Sequence, residues 1–259
     1  MMSKLSRRKL LTAGLAAAGV PGLGVATRLA NRYGLIPPDH GGLYGPGQTL
    51  TYASQRLLTR NTFAREFSPK DISTPCFNGK PPMSEDFQRL RAGGFAEWRI
   101  QLDGMVSRPG SYLLSEIKKL PARSQITEVA CEEGWSFIAE WTGLPLAHLL
   151  EAAGTLPQAK YVVYFSMDHF SKDSNDEVSV ESIDMDEALH PQTLLTYGMN
   201  GAELPVPHGG PVRLRVPRQR GYKNMKWLSR LTVTDTLKGF GASLGSMNVE
   251  DGFQWYAGI

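Results

Sequence analysis

Cys131 is the residue of this chain whose type and position most clearly indicate chemistry. It follows the run Ile126-Thr127-Glu128-Val129-Ala130, in which apolar and polar side chains alternate as they do in a strand. The pattern predicts a cysteine at the point where a strand ends in a turn, where folds present reactive groups. A thiolate at that position is available for chemistry.

The chain has one other cysteine, Cys76. A disulfide between Cys76 and Cys131 is therefore the alternative to a reactive thiolate, and the sequence leaves both open. Two cysteines are too few for a disulfide-built scaffold.

The segment from His208 to Arg230 is rich in basic residues and glycine. Guanidinium groups bind phosphate oxygens through paired hydrogen bonds, and glycines let backbone N–H groups approach an anion. The segment predicts either a phosphate cradle or a solvated strand face, because Arg213 and Arg215 lie on the same side of an alternating run. Its basic residues are Arg213, Arg215, Arg218, Arg220, Lys223, Lys226 and Arg230.

The elements that must position these residues are mainly strands. Alternation predicts strands over 98–104, 126–130, 212–216 and 231–236, and β-branched and aromatic residues predict another over 160–167. Short helices are predicted over 113–119 and 143–154, the second capped by Gly154. We expect this second helix to cover the Cys131 region. Glycine and proline predict an irregular linker over 34–50. The fold class is thus mixed α+β, rich in strands, with a single main domain.

Composition excludes some functions. The chain has 259 residues, of which 28 are basic and 25 acidic. This near-neutral balance gives no reason to expect a polyanionic partner such as nucleic acid.

The N-terminal region predicts export. Ser6-Arg7-Arg8-Lys9-Leu10-Leu11 precedes a run of small and apolar residues that glycine and proline interrupt before Arg28. This is the pattern of a twin-arginine signal, and the run is shorter than the ~20 apolar residues of a membrane span. We therefore expect a periplasmic protein that folds, with its cofactor, before export. Since no clear cleavage site is visible, an uncleaved form tethered to the membrane is the alternative.

Five motifs, in a fixed order over residues 61–236, resemble the molybdopterin-binding domain of the sulfite oxidase family. The resemblance implies that family's fold and a mononuclear molybdenum held by the dithiolene of a molybdopterin (Mo-molybdopterin) and by the thiolate of Cys131. The motifs are Asn61-Thr62-Phe63, Cys131-Glu132-Glu133-Gly134-Trp135-Ser136, Thr196-Tyr197-Gly198-Met199-Asn200-Gly201, His208-Gly209-Gly210-Pro211-Val212-Arg213 and Gly221-Tyr222-Lys223-Asn224-Met225-Lys226-Trp227.

The same resemblance implies a set of cofactor contacts. Asp168, with His169, is a further candidate for the substrate pocket and a catalytic role. Each residue alone also has a structural interpretation, such as a helix cap for Asn61 or a turn residue for His208. The implied cofactor-binding residues are Asn61, Phe63, Ala64, Arg65, Cys131, Ser166, His208, Arg213, Asn224, Met225 and Lys226.

Departures from the family pattern reduce the number of reactions that the resemblance allows. Sulfite oxidases place an arginine-bearing stretch after the ligand cysteine, whereas this chain has Glu132 and Glu133, which would repel sulfite. The chain is more similar to the periplasmic methionine-sulfoxide reductases, although His208 replaces their asparagine. Arg218 and Arg220 replace aromatic residues of those reductases, which indicates an anionic substrate or a partner with an acidic face.

The resemblance implies an oxidoreductase that transfers an oxygen atom to or from a small substrate such as a sulfoxide. A sulfite dehydrogenase is the first alternative, and a non-catalytic exported scaffold or binding module of the same fold is the second. The sequence has no C-x-x-C-H haem motif and no nucleotide-binding glycine fingerprint. Electrons are therefore expected to pass to or from a membrane haem protein or a periplasmic cytochrome.

The predicted organisation is a signal region over 1–30, a linker over 31–55, the molybdopterin-binding domain over 56–240, and a C-terminal tail over 241–259 packed on the domain.

Overall fold

The computed structural model describes residues 34–41, 45–169 and 178–259. The signal predicted over 1–30 lies outside these residues. The chain divides into two units, residues 1–58 and 59–259. Among the described helices, none has the length and apolar character that would let it cross a membrane.

In the first unit, helix α1 spans Gly45–Leu58. The prediction of an irregular segment over 34–50 is therefore wrong for its last six residues. Pro46 sits in the first turn of the helix, where its missing N–H would have no intrahelical partner, so the proline does not prevent the helix from starting there.

The second unit contains two five-stranded sheets. The first is formed by β1 (Arg99–Gly104), β2 (Gly110–Leu113), β5 (Tyr161–His169), β6 (Val178–Asp184) and β10 (Leu228–Thr234). Its order is β2-β1-β10-β5-β6, with β1 and β10 parallel and the other pairs antiparallel.

The second sheet is formed by β3 (Arg123–Ala130), β4 (Ser136–Pro145), β7 (Leu194–Met199), β8 (Ala202–Glu203) and β9 (Arg213–Arg215). Strands β3, β4, β7 and β8 follow in that order, and β9 pairs with β7. All of these pairs are antiparallel. Together the two sheets confirm the strand-rich α+β class.

Among its described residues, the second unit also contains five short α-helices, three of them between strands, one before β1 and one after β10. They are α2 (Glu85–Ala92), α3 (Leu114–Ile117), α4 (Leu146–Ala153), α5 (Met185–Ala188) and α6 (Met247–Glu250). The cap predicted for α4 is confirmed, since Gly154 follows the helix with a φ of +69°, in the left-handed region that glycine tolerates.

The expectation that α4 covers Cys131 is wrong. Ala130, just before Cys131, pairs with Ser136 at the start of β4, whereas α4 begins after Pro145 at the far end of that ten-residue strand. At about 3.3 Å per residue, the two ends of β4 lie roughly 30 Å apart. The buried face of α4 packs in the main core cluster, which draws residues from both sheets.

A buried ion pair links the loop before β10 to β6, and the C-terminal segment bonds to the same part of β6. Lys223 Nζ lies 2.6 Å from the Glu181 carboxylate, and both side chains are fully buried. The same carboxylate accepts a hydrogen bond from Ser246 at 2.5 Å, and the Trp255 indole N–H donates to Ser182 at 2.8 Å. The tail therefore contacts β6 through buried polar groups.

Lys223→Met tests the contribution of this pair to folding. Removing one partner leaves Glu181 as a buried charge without its counterion, which should lower the free energy of unfolding by about 3 kcal/mol in urea denaturation. Lys118→Met is the matched control, because the Lys118–Glu203 pair is exposed and should contribute less than about 1 kcal/mol. Equal losses of stability in the two variants would contradict the conclusion that the buried Lys223–Glu181 pair matters more to folding than an exposed pair.

Candidate active site

Cys131 lies at the end of β3, as the alternating pattern predicted. Its backbone N–H donates to the Trp135 carbonyl at 2.9 Å, and the Gly134 N–H donates to the Cys131 carbonyl at 3.2 Å. Gly134 adopts a φ of +90°, which a side chain would strain. The resulting tight turn holds the thiol in a fixed place, where only 5% of the residue is exposed.

A cavity of about 420 Å³ lies beside Cys131. Segments that are distant in sequence line it: the end of β3, the irregular end of β5, and the loops around 208 and 224. Eight of the predicted site residues line it, namely Cys131, Ser166, Asp168, His208, Arg213, Asn224, Met225 and Lys226.

Both cysteines are free thiols. Cys76 is exposed and also lines the cavity, whereas Cys131 is buried. The disulfide alternative is therefore wrong for this structure, and the Cys131 sulfur is available to a ligand in the cavity.

The protein environment of Cys131 favours the neutral thiol. Burial, with the nearby carboxylates of Glu132 and Glu133, raises the pKa of the Cys131 thiol to about 11. The thiol is thus protonated at neutral pH and is a poor nucleophile by itself. Bound metal would reverse this preference, because coordination favours the thiolate.

Arg213 and Arg215 are buried, so the expectation of a solvated strand face is wrong. They are 6% and 0% exposed, and their guanidinium carbons lie 5.2 and 4.8 Å from the Trp141 ring centroid. Arg213 donates to the backbone carbonyls of His208 and Asn224, each at 2.7 Å. Burial lowers the pKa of Arg213 to about 10 and that of Arg215 well below its usual range.

The hydrogen-bond acceptors of Arg215 are also neutral. Its guanidinium donates to the side-chain oxygen of Asn224 at 2.6 Å, to Thr127 at 3.1 Å and to the Glu128 carbonyl at 3.0 Å. Within the described part of the chain, no carboxylate forms an ion pair with Arg213 or Arg215.

Lys226 adds a second cation to the cavity wall, after Arg213. Its ammonium donates to the Asn78 carbonyl at 2.5 Å and lies 4.3 Å from the Trp227 ring centroid. Burial and the nearby Arg213 lower the pKa of Lys226 to about 8. The cavity therefore carries concentrated positive charge on this side.

Two predicted cofactor-binding residues, Asn224 and Ser166, form side-chain hydrogen bonds with other residues of the protein. The Asn224 side chain accepts from Arg215 and from the Val216 N–H, and it donates to two backbone carbonyls. The Ser166 hydroxyl donates to the Lys226 carbonyl at 2.9 Å and accepts from the Asp168 N–H at 2.9 Å. These hydrogen bonds fix the positions of Arg215, Lys226 and Asp168, of which Lys226 and Asp168 line the cavity.

The structure does not bring the N-terminal motif to this cavity. Asn61 and Phe63 line a second pocket of about 350 Å³ with Arg60, Asp186, Leu189, His190 and Pro191. The backbone N–H and carbonyl of Ala64 are hydrogen-bonded to the Gln192 side chain, and Arg65 stacks on Phe67. Their roles in cofactor binding stay predictions.

Arg218 does not face a substrate. It is buried, pairs with Glu187 at 3.1 Å and donates to the Arg60 carbonyl at 2.6 Å. The interpretation of Arg218 as a mark of an anionic substrate is wrong, because the buried Glu187 carboxylate pairs with its guanidinium inside the fold. Arg220 is exposed.

Some residues of the cavity wall escaped sequence reasoning. Met247 and Asn248 come from the C-terminal segment, and Phe77, Asn78 and Gly79 come from an irregular stretch before α2. No local pattern marks them, because long-range packing places them there. Trp135 also lines the cavity, and only the motif around Cys131 gave a signal for it.

The comparison with protein families agrees with this geometry. Residues 89–239 match the family model described as the oxidoreductase molybdopterin binding domain. Because the match covers more than half of the chain, the protein belongs to this family. The expected family resemblance is confirmed.

Two curated relatives carry reductase names. The chain is 36% identical over 163 residues to the "Putative protein-methionine-sulfoxide reductase subunit YedZ1" of Azospira oryzae, covering 63% of this chain and 56% of the relative. It is 35% identical over 145 residues to the protein-methionine-sulfoxide reductase catalytic subunit MsrP of Ralstonia nicotianae, covering 53% and 44%. The chain spans about half the length of these relatives.

A solved structure is also similar. The sulfane dehydrogenase SoxCD from Paracoccus pantotrophus matches with a TM-score of 0.47 and 25% identity, over 54% of this chain and 39% of the other.

His208 predicts a pH dependence of stability. Burial and the charges of Arg213 and Lys226 lower its pKa to about 4, so the folded protein holds it neutral while the unfolded chain protonates it near pH 6.5. The unfolded state then binds more protons, so stability falls as pH decreases from about 6.5 towards 4. His208→Asn should reduce this loss between pH 7 and pH 5 by about 1 kcal/mol, after discounting for solvent in the cavity.

Urea denaturation of both proteins at the two pH values measures this difference. The other titrating groups are common to both proteins, so they cancel in the comparison. An identical pH dependence in wild type and variant would contradict the prediction.

Proposed function

We propose that this chain is a molybdenum-cofactor oxidoreductase that reduces an organic sulfoxide, with Cys131 as the protein ligand of the metal. The observation that carries the proposal is the buried positive charge of Arg213, Arg215 and Lys226 beside a buried thiol.

The buried cations fit an anionic cofactor. Removing a charged group from water costs several kcal/mol unless an opposite charge compensates it. Arg213 and Arg215 have only neutral acceptors among the described residues, and Arg213 lines the cavity together with Lys226. A phosphate-bearing pterin in the cavity would supply the missing negative charge.

The donor set also fits. Among the described residues, no group of three or more His, Cys, Asp or Glu side chains could hold a metal ion. A metal beside Cys131 would thus take its remaining ligands from a non-protein group, as the dithiolene of molybdopterin provides. When bound, the cofactor supplies the redox chemistry of oxygen-atom transfer, while the thiolate is a soft ligand suited to it.

The net reaction breaks the S–O bond of the sulfoxide. The sulfur leaves as a thioether and the oxygen as water, with two protons from solvent and two electrons from a separate redox protein. Asp168 lines the cavity near Lys226 and is our candidate for a residue that contacts the substrate.

The acidic residues after Cys131 favour a neutral substrate. Glu132 lines the cavity, and the Cys131 sulfur lies 3.8 Å from a carboxylate oxygen of Glu133. Two carboxylates would repel the sulfite dianion but not a sulfoxide, which argues against the sulfite dehydrogenase alternative. The reductase names of the two relatives support the same substrate class.

We further propose that the protein acts in the periplasm and receives electrons from a membrane haem protein or a periplasmic cytochrome. The support is the twin-arginine pattern around Arg7 and Arg8 and the absence of a haem or nucleotide motif in the sequence.

Cys131→Ser tests the ligand assignment. A serine hydroxyl stays protonated at neutral pH and cannot replace a thiolate, so we expect sulfoxide reduction to fall at least about 1000-fold while the protein stays folded. Molybdenum by plasma mass spectrometry, circular dichroism and turnover with a reduced viologen dye are the measurements.

Cys76→Ser is the matched control for this substitution. Cys76 lines the same cavity but is exposed, so its variant should keep wild-type metal content and turnover. Full activity of Cys131→Ser, or a wild type that lacks molybdenum when produced in a host that makes the cofactor, would refute the proposed function.

Arg213→Gln tests the anion site. The variant loses the buried charge that would face the cofactor's phosphate, so we expect molybdenum occupancy to fall about tenfold or more. Arg220→Gln, at an exposed arginine in the loop that follows β9, should retain the metal. Wild-type occupancy in Arg213→Gln would show that Arg213 does not hold the cofactor.

A further inference from the structure

The chain end, here defined as residues 253–259, lies beyond residue 239, where the match to the family model ends. It is nevertheless part of the packed protein, because Trp255, Tyr256 and Ala257 are all buried. A terminus that is not tied to the fold is usually exposed. The burial therefore indicates that the chain end has a specific partner in the structure.

The partner of the chain end is the β9–β10 loop, residues 216–227. The two segments form an antiparallel bridge. The Arg220 N–H donates to the Ala257 carbonyl at 3.0 Å, and the Ile259 N–H donates to the Arg218 carbonyl at 3.0 Å. The chain end thus pairs with the loop through backbone hydrogen bonds, as a short added strand would.

Tyr222 fastens the chain end to this loop through its side chain. Its hydroxyl donates to the Gln254 carbonyl at 2.6 Å, and its ring lies 5.2 Å from the Phe253 ring, measured between centroids. Tyr222 also lines the cavity. One side chain therefore contacts both the chain end and the candidate active site.

The loop packs against the turn that carries Cys131. A Cβ atom on Gly221 would lie 3.3 Å from the Cys131 Cα, closer than side chains usually approach backbone. Because glycine has no side chain, the loop lies directly against the Cys131 backbone. The β9–β10 loop is thus in contact with the chain end and with the candidate metal ligand.

Buried hydrogen bonds also link the loop to the strand that leads into Cys131. The Asn224 side chain donates to the Gln219 carbonyl at 3.1 Å and accepts from Arg215 at 2.6 Å. Arg215 in turn donates to the Glu128 carbonyl of β3 at 3.0 Å. Buried polar groups are costly to leave unpaired, so a displacement of the loop would also disturb the end of β3.

We propose that the chain end positions Cys131: it holds the β9–β10 loop in place, and the loop holds Gly221 against the Cys131 backbone and so fixes the direction of the thiol. The inference deepens the proposed function and rests on it for the identity of Cys131 as the metal ligand. Tyr222 and Gly221 are positioning residues in this arrangement, because they act through Cys131.

Tyr222→Phe and Gly221→Ala test the proposal at the two contacts of the loop. Tyr222→Phe removes the hydrogen bond to the chain end and keeps the ring, whereas Gly221→Ala adds the Cβ atom that presses on Cys131. Thr232→Val is the matched control. It removes a side-chain hydrogen bond of similar length, 2.7 Å to Asp103, and neither of these two residues lines the cavity.

Amide hydrogen exchange, followed by mass spectrometry, is measured on the full chain purified from a host that makes the cofactor. We expect exchange in the peptide over 131–135 to become roughly fivefold faster in Tyr222→Phe, because the loss of one hydrogen bond favours local opening by about that factor. Gly221→Ala should accelerate the same peptide. Thr232→Val should leave its exchange at the wild-type rate.

Electron paramagnetic resonance of the Mo(V) state is the second measurement, because a general loss of stability would not change its g values. These values depend on the orientation of the thiolate at the metal. We expect them to shift in Tyr222→Phe and Gly221→Ala and to match wild type in Thr232→Val.

Faster exchange over 218–224 with unchanged exchange over 131–135 would overturn the inference, because the chain end would then hold only its own loop. Equal acceleration in Thr232→Val would also overturn it, since general destabilisation would explain the result, and so would unchanged g values in both loop variants. The expected exchange pattern in a wild type that lacks molybdenum would refute the proposed function but support the positioning of Cys131 by the chain end.

Discussion

The burial of positive charge beside the cavity is the constraint on which the rest of this structure depends. Arg213 and Arg215 sit against Trp141 in the second sheet and donate only to neutral oxygens. Such an arrangement is costly without a compensating anion. The backbone carbonyls and amides that surround the two guanidinium groups hold them in place, so that the positive field is directed at the cavity before any ligand arrives.

The two sheets and their loops bring segments that are distant in sequence to the cavity beside these buried cations. The turn after β3 delivers Cys131, the irregular end of β5 delivers Ser166 and Asp168, and the loop after β9 delivers Lys226. Buried hydrogen bonds between these segments fix their relative positions, as when Ser166 bonds both Lys226 and Asp168. A cofactor that needs one sulfur ligand and two cations would therefore find Cys131, Arg213 and Lys226 already assembled, which reduces the cost of ordering on binding.

The cavity has cationic and acidic residues around it. Arg213 and Lys226 line the side where an anionic cofactor would lie, and Glu132 and Glu133 follow Cys131. Under the proposed function, the acidic side would repel anionic substrates and the cationic side would retain the cofactor. The tail adds an apolar element through Met247.

The sequence by itself determined the local features of this protein. Alternation located the strand that ends at Cys131, and Gly154 marked the end of α4. The ordered motifs indicated the family and contain six of the eight predicted residues that line the cavity. These features depend on neighbours in the chain and on residue type, which a sequence displays directly.

Only the tertiary structure decided the rest. Alternation put Arg213 and Arg215 on one side of a strand but could not say that this side is buried, because burial depends on what packs against it. The same holds for the separation of Asn61 and Phe63 from the cavity, and for the arrival of Met247 and Asn248 in its wall. Each of these outcomes is set by contacts between residues far apart in the chain, and such contacts leave no periodic signal in the sequence around them.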